Sequence, residues 1–333
     1  MIITGKYPNL RLRRNRRHDW IRRLIEENKL SANDLILPIF LTNGKNKKEK
    51  IPNMPGIFRY SVDKIGMILD KAIKIKIPVV ALFPYTEKKL KNSLGSEALN
   101  EDNLVCKAIR QIKKKYKDQI GIMCDVALDP YTNHGHDGLI ENNEILNDET
   151  IDSLVKQSLL LVQNGADIIA PSDMMDGRIG AIRNVLEEKK HKNTILVSYS
   201  AKYASSLYSP FRDAVGSGKK LKSDKKSYQM NIFNSDEALR EISLDISEGA
   251  DAVIVKPGIA YLDIIHRIKS KFQFPTFAYH VSGEYSLIKS AAKEGIVDEH
   301  LTVLEHFAAF KRAGADAIIS YHAPKISEII ELI

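Results

Sequence analysis

Short apolar runs recur along the chain at intervals that leave room for one helix each, and this alternation restricts the fold more than any other feature. The runs are residues 35–40, 79–83, 120–128, 166–170, 194–199, 252–255, 275–280 and 317–321. They are largely apolar, as strands of a parallel sheet are when both faces are covered. Between them lie amphipathic stretches at 62–75, 104–116, 151–164, 181–189, 236–247, 261–271 and 300–313. Three strands are introduced by nearly one phrase: Asn164-Gly165-Ala166-Asp167, Glu248-Gly249-Ala250-Asp251 and Ala313-Gly314-Ala315-Asp316. Glycine is the expected helix stop before such a strand. Eight alternations predict an α/β chain closed into a (β/α)8 TIM barrel over residues 34–333. A doubly wound open sheet would accept the alternation but does not ask for eight strands.

Residues 1–33 stand outside this rhythm as an N-terminal arm. Arg11, Arg13, Arg14, Arg16 and Arg17 precede Trp20, Ile21, Leu24 and Ile25, which fall at helical spacing. The arm suits a neighbouring subunit whose carboxylates meet its arginines. Nucleic acid is the other reading, but no recognised nucleic-acid module accompanies the arm. The net charge of +8 comes mostly from lysines scattered through helices and loops, which normally form a solvated face.

Of the 333 residues, 44% are hydrophobic and 28% charged, and no apolar run is long enough to span a bilayer. The first six residues lack the apolar core of a signal peptide. The arginines that follow suggest a transit peptide, but acidic residues soon join them and serine is scarce. The expectation is a mature cytoplasmic chain. Two cysteines, Cys106 and Cys124, make no disulfide framework.

In barrels of this kind chemistry sits at the carboxyl ends of the strands. Those ends carry Asp125 and Asp129 after the third strand, Ser172 and Asp173 after the fourth, and Ser200 and Lys202 after the fifth. Lys256 follows the sixth, Ser282 the seventh, and Tyr321 and His322 the eighth. Lys256 ends the run Ala252-Val253-Ile254-Val255 and is cut off by Pro257-Gly258. A lysine at a buried strand end is pushed toward its neutral amine, the form that makes a Schiff base with a ketone. The plainer reading is a lysine whose stem packs while its ammonium reaches water. Lys202, one strand over, changes the balance, because two neighbouring ammonium groups lower each other's pKa.

The stretch from Asp125 to Gly138 holds Asp125, Asp129, Asp137, His134 and His136. Its oxygens suit Mg²⁺ or a substrate ammonium, and its histidines leave a transition-metal site open. Residues 203–230 are long for a strand-to-helix connection and read as a lid. Arg212, Lys225 and Gln229 within it are placed to clamp a carboxylate.

These residues resemble the porphobilinogen synthase (5-aminolevulinate dehydratase) family over nearly the whole chain. The matching motifs are Arg11-Leu12-Arg13-Arg14, Met54-Pro55-Gly56, the Asp125–Gly138 loop, Ala170-Pro171-Ser172-Asp173-Met174-Met175-Asp176-Gly177-Arg178, residues 198–205 and Val255-Lys256-Pro257. The resemblance implies a hydro-lyase that condenses two 5-aminolevulinate molecules to porphobilinogen, losing two waters, in tetrapyrrole (haem) biosynthesis. Lys256 matches the lysine that forms the imine with the first-bound substrate, and Lys202 the second lysine. Ser282 and Tyr321 match residues that hold the first carboxylate; Arg212, Lys225 and Gln229 match lid residues that hold the second. Zinc-dependent members carry three cysteines in the loop after the third strand, where this chain has Ala127, Asp129 and Asp137. The resemblance is therefore to the aspartate-type members, with no catalytic zinc, and Asp129 and Asp137 are expected to hold a substrate amino group or a weak cation. Glu241 matches the carboxylate of an outer, allosteric Mg²⁺ site. The family's arm-hugging dimers and octamers imply a protein partner for residues 1–33. Two other functions stay open on the residues alone: a Schiff-base aldolase on the same barrel, and a non-catalytic basic binding protein.

Overall fold

The structure, a computed structural model, describes residues 5–217 and 224–331. Eight parallel strands form its centre: β1 (Leu35–Leu41), β2 (Val79–Pro84), β3 (Gly121–Val126), β4 (Ile168–Pro171), β5 (Ile195–Lys202), β6 (Ala252–Lys256), β7 (Thr276–His280) and β8 (Ala317–Ser320). Each pairs with the next, and β1 pairs back onto β8, so the sheet closes. The alternation in the sequence thus resolves into the barrel, not the open sheet.

Side chains alternate in and out of the barrel wall. Phe40, Phe83, Met123, Ala170, Val197, Ile254, Tyr279 and Ile319 fill the inside. Leu37, Leu82, Cys124, Ile169, Leu196, Val253 and Ile318 pack outward against the helices. Both layers are apolar, which is why the strands read as unbroken runs. Cys106 and Cys124 are buried in the outer layer.

The repeated Gly-Ala-Asp phrase has one structural meaning at all three sites. Gly165, Gly249 and Gly314 take φ of +106°, +103° and +104°, a left-handed conformation that glycine adopts without steric cost and that ends the preceding helix. The aspartate that follows accepts a backbone N–H at the start of the neighbouring strand: Asp167 from Ile122 (2.8 Å), Asp251 from Leu196 (2.8 Å) and Asp316 from Thr276 (2.7 Å). Each also meets a cation, Lys113, Arg183 or Lys269. The phrase stitches the amino ends of the strands together, at the pole opposite the chemistry.

Three helices among the described residues were not expected, one of them the short Ile326–Ile330 after β8. Ser282–Lys293 follows β7 directly, and Ser209–Val215 lies in the connection after β5. Gly283 reads as a helix breaker. A Cβ there would collide with the carbonyl of Leu207, so glycine is what lets the two segments touch. The arm contains a short 3-10 turn, Leu12–Arg16, and one helix, Asp19–Leu24, neither with a buried residue. Trp20 is 60% exposed and Leu24 74%. Among the described residues, no helix is long and apolar enough to cross a membrane.

Candidate active site

The carboxyl ends of β3 to β6 and the connection after β5 enclose a small cavity. Its lining includes Asp125, Asp129, Asp137, Ser172, Lys202, Tyr208, Phe211, Arg212, Lys225, Gln229 and Lys256. Its free volume is about 20 Å³, room for roughly one water.

Lys256 and Lys202 are the last residues of their strands, Lys202 included, although the sequence placed it just beyond one. They reach the cavity by different routes. In β6 the alternation is regular, and Lys256 faces inward in phase with Ala252 and Ile254. In β5, Val197 and Tyr199 face inward, so plain alternation would turn Lys202 outward. A β-bulge corrects this: Val253 pairs with Ser198 but Val255 with Ala201, so β5 spends one extra residue there. Lys202 is brought into register beside Lys256. Ser200, in the bulge, is left with a buried hydroxyl that has no hydrogen-bond partner.

The surroundings of the two amines differ. The Lys256 Nζ lies 4.5 Å from the ring centre of Tyr279 and 5.0–5.4 Å from those of Tyr199, Phe211 and Tyr208. Burial first, and then the charge of Lys202, bring its pKa down to about 7, against the opposing pull of Asp125, Asp129 and Asp137. The Lys202 Nζ donates to Asp137 Oδ1 (3.2 Å) and to the Ser172 carbonyl.

Asp137 is the hub of the other half of the cavity. Lys225 Nζ donates to its Oδ2 at 2.6 Å and the Tyr228 hydroxyl at 2.8 Å. Burial would raise its pKa, but Lys202 and Lys225 together hold it well below the usual carboxylate range. Lys225 also stands 3.6 Å from Asp129. Burial works against the charge of Lys225, yet the two carboxylates outweigh it and raise its pKa. Asp125 has no such partner. Burial lifts its pKa although Lys256 pulls it down, and its Oδ1 makes no hydrogen bond.

The remaining candidates divide. Arg212 and Gln229 line the cavity, and the Gln229 Oε1 is buried without a hydrogen bond. Ser282 begins the helix after β7, and its Oγ accepts the Phe211 N–H at 2.9 Å, which anchors the helix Ser209–Val215 over the mouth. Tyr321 stacks on Phe40 and shares a hydrogen bond with the Tyr279 hydroxyl (3.2 Å). His322 does not face the cavity. It packs on Tyr285 and stands 3.9 Å from Glu299. Asp173 also turns away: it approaches Arg178, which is fully buried and pairs with Asp245 as well.

The histidines of the aspartate loop are engaged too. His136 meets the Tyr228 hydroxyl and His134 the Ser93 carbonyl. Among the described residues, no three of His, Cys, Asp and Glu stand together as a metal site. Glu241, on the helix Asp236–Ser247, lines a separate cavity of about 610 Å³ with Glu144, Asp176 and Glu237. Burial raises its pKa, and Asp245, Asp176 and Glu237 add to this against Arg178. One wall of that cavity is Tyr228 and Gln229.

The sequence did not single out the aromatic surround of Lys256 or Tyr228. Tyr199, Tyr208, Phe211 and Tyr279 come from separate segments, and each reads as an ordinary core aromatic. The one available signal was a polar-flanked aromatic, Ser198-Tyr199-Ser200, at a strand end. Residues 218–223 of the expected lid lie outside the described residues.

The family model for delta-aminolevulinic acid dehydratase matches residues 9–329. A delta-aminolevulinic acid dehydratase of Bradyrhizobium diazoefficiens is 55% identical, over 96% of this chain and 90% of its own length. One from Rhodobacter capsulatus is 45% identical over 99% of both chains. The crystal structure of delta-aminolevulinic acid dehydratase (porphobilinogen synthase) from Toxoplasma gondii ME49, in complex with the reaction product porphobilinogen, superposes with a TM-score of 0.93 at 42% identity. That match covers 97% of this chain and 92% of the other. The chain belongs to the delta-aminolevulinic acid dehydratase family.

Proposed function

We propose that the chain is a porphobilinogen synthase that condenses two 5-aminolevulinate molecules, with loss of two waters, through an imine on Lys256. The observation that carries this mechanism is the Lys256 amine, inside an aromatic surround and beside a second lysine, with its pKa brought down to about 7 so that a large share of it is neutral near pH 7. The neutral amine adds to the substrate ketone, and the carbinolamine loses one water to give the imine. Lys202, oriented by Asp137, offers a second amine to the other substrate. Holding both molecules in one cavity replaces a bimolecular encounter with an oriented one.

The carboxylate of the first substrate falls to Ser282 and Tyr321, and that of the second to Arg212, Lys225 and Gln229. Lys225 is held by Asp137 and Asp129, so a substrate carboxylate competes with those two for it. Asp129 and Asp137 in turn are the acceptors for a substrate ammonium, with Asp125 and Ser172 beside them. A cavity this small admits substrate only when the segment bearing Arg212, Lys225 and Gln229 moves away, which is the work of a lid.

Catalytic zinc has no part in this reading, because thiolates make tight zinc sites and no cysteine lines the cavity. For Mg²⁺ we assign the cavity at Glu241. A hydrated Mg²⁺ needs only one or two carboxylates, which suits an acidic cavity without a three-ligand cluster. There it would supply positive charge beside Tyr228 and Gln229, an allosteric rather than a catalytic position. The exposed arm is assigned to subunit contacts in a homo-oligomer, an octamer by likeness to the family, and the chain to the cytoplasm.

The test is direct. The purified chain converts 5-aminolevulinate to porphobilinogen without added zinc, and shows no retro-aldol cleavage. Absence of porphobilinogen, or undiminished turnover in Lys256→Ala, would sink the mechanism.

A further inference from the structure

The helix Ser209–Val215 separates two spaces of very different size. On one side is the catalytic cavity of about 20 Å³, into which Phe211 projects toward Lys256. On the other is a cleft of about 590 Å³, within the range that takes small ligands. Arg212 lines both. Among the described residues, five cations line the cleft: Lys50, Arg59, Lys88, Lys91 and Arg212. One carboxylate, Asp213, lines it with them, and Asn53 already donates to that group at 2.6 Å.

Two of the cations serve the helix. Arg59 donates to the carbonyls of Ala214 and Asp213, both at 2.7 Å, while stacking on Tyr85. Lys91 donates to the Gly216 carbonyl at 3.1 Å. Both satisfy the last carbonyls of the helix. The other three have no such duty. Among the described residues, no carboxylate lies within 4 Å of Lys50, Lys88 or Arg212. Elsewhere some lysines and arginines of this chain are paired, for example Lys113 with Asp167 and Lys289 with Glu299, while others face solvent without a carboxylate, so what marks the cleft is how many cations line one ligand-sized space.

We propose that this cleft is a carboxylate-binding antechamber, which holds the dicarboxylate product, and in turn the monocarboxylate substrate, just outside the catalytic cavity. The proposal rests on the porphobilinogen synthase reading above. Its basis is complementarity: unpaired cations concentrated in a ligand-sized cleft, with one arginine common to it and to the catalytic cavity. Porphobilinogen carries two carboxylates, and Lys50, Lys88 and Arg212 offer them donors without displacing an existing ion pair.

The test blocks the inner site and asks what remains. Enzyme whose Lys256 carries the borohydride-reduced 5-aminolevulinate adduct is titrated calorimetrically with porphobilinogen at low and at high salt. We expect one weakly held molecule per chain, displaced by salt. In Lys50→Gln/Lys88→Gln its affinity falls about fivefold, the order expected for two partly exposed charge contacts. Lys190→Gln/Lys192→Gln, the same charge change in the loop before β5 at the opposite pole, leaves it unaltered. No binding to the blocked enzyme, or equal binding by the two double variants, overturns the proposal. If no adduct forms on Lys256, the imine reading fails instead, and the same titration on the untreated chain still tests the cleft.

Discussion

Lys256 and Lys202 stand side by side at one barrel mouth, yet they are made ready in opposite ways. Lys256 arrives on a regular strand and is surrounded by rings, which offer a cation a weakly negative face but no counter-ion. Lys202 arrives through a bulge and is met by Asp137 and a carbonyl. A medium that gives charge nothing to pair with favours the neutral nucleophile. At Lys202 the Asp137 carboxylate, 3.2 Å away, fixes the position of the amine. One fold thus surrounds the same residue type in two ways, one strand apart: rings at Lys256, a carboxylate and a carbonyl at Lys202.

The strongest way to break this comparison is to remove the nucleophile. Lys256→Ala should lose on the order of 10⁴-fold or more in kcat, as enzymes do when the covalent residue is deleted. Its circular dichroism should be unchanged, because no ion pair of this buried lysine is lost. Asp137→Asn attacks the other side. It leaves Lys202 and Lys225 buried without their shared carboxylate, so kcat should fall about 10²-fold. Breaking such a pair should also cost about 3–5 kcal/mol in denaturant unfolding. A variant as stable as the parent would mean that Asp137 is not the hub.

A finer test uses pH. Lys256 loses its proton at about pH 7, so the rate of adduct formation on it should rise as pH increases through 7 and level off above 8. Lys202→Gln removes a repelling charge, which makes the Lys256 ammonium easier to keep. The rising limb should then move to higher pH, by roughly one unit. An unmoved limb would show that burial alone sets the Lys256 pKa. The smallest effect is expected from phenanthroline. Turnover should be unchanged, and a loss reversed by zinc would contradict the reading of the aspartate loop.

Much of this was legible in the sequence, for a physical reason. Strands covered on both faces are apolar for most of their length, so all eight could be counted, and the helix-ending glycines marked where three begin. Lys256 showed because a charged residue ends an otherwise apolar run. What stayed hidden depends on phase and on distance along the chain. The bulge at Ser200 shifts Lys202 by one residue, a change that no alternation pattern in Leu196–Lys202 reveals. The Lys225–Asp137 bond joins residues 88 apart. The helix Ser282–Lys293 opens with Ser-Gly, which reads as a break until Gly283 is seen against the Leu207 carbonyl.

The most direct measurement is borohydride trapping with 5-aminolevulinate across pH 6 to 8.5, followed by peptide mass mapping. The account predicts that Lys256 carries the dominant adduct and that its rate climbs through about pH 7, with or without EDTA. An adduct confined to Lys202, or none at all, would contradict it.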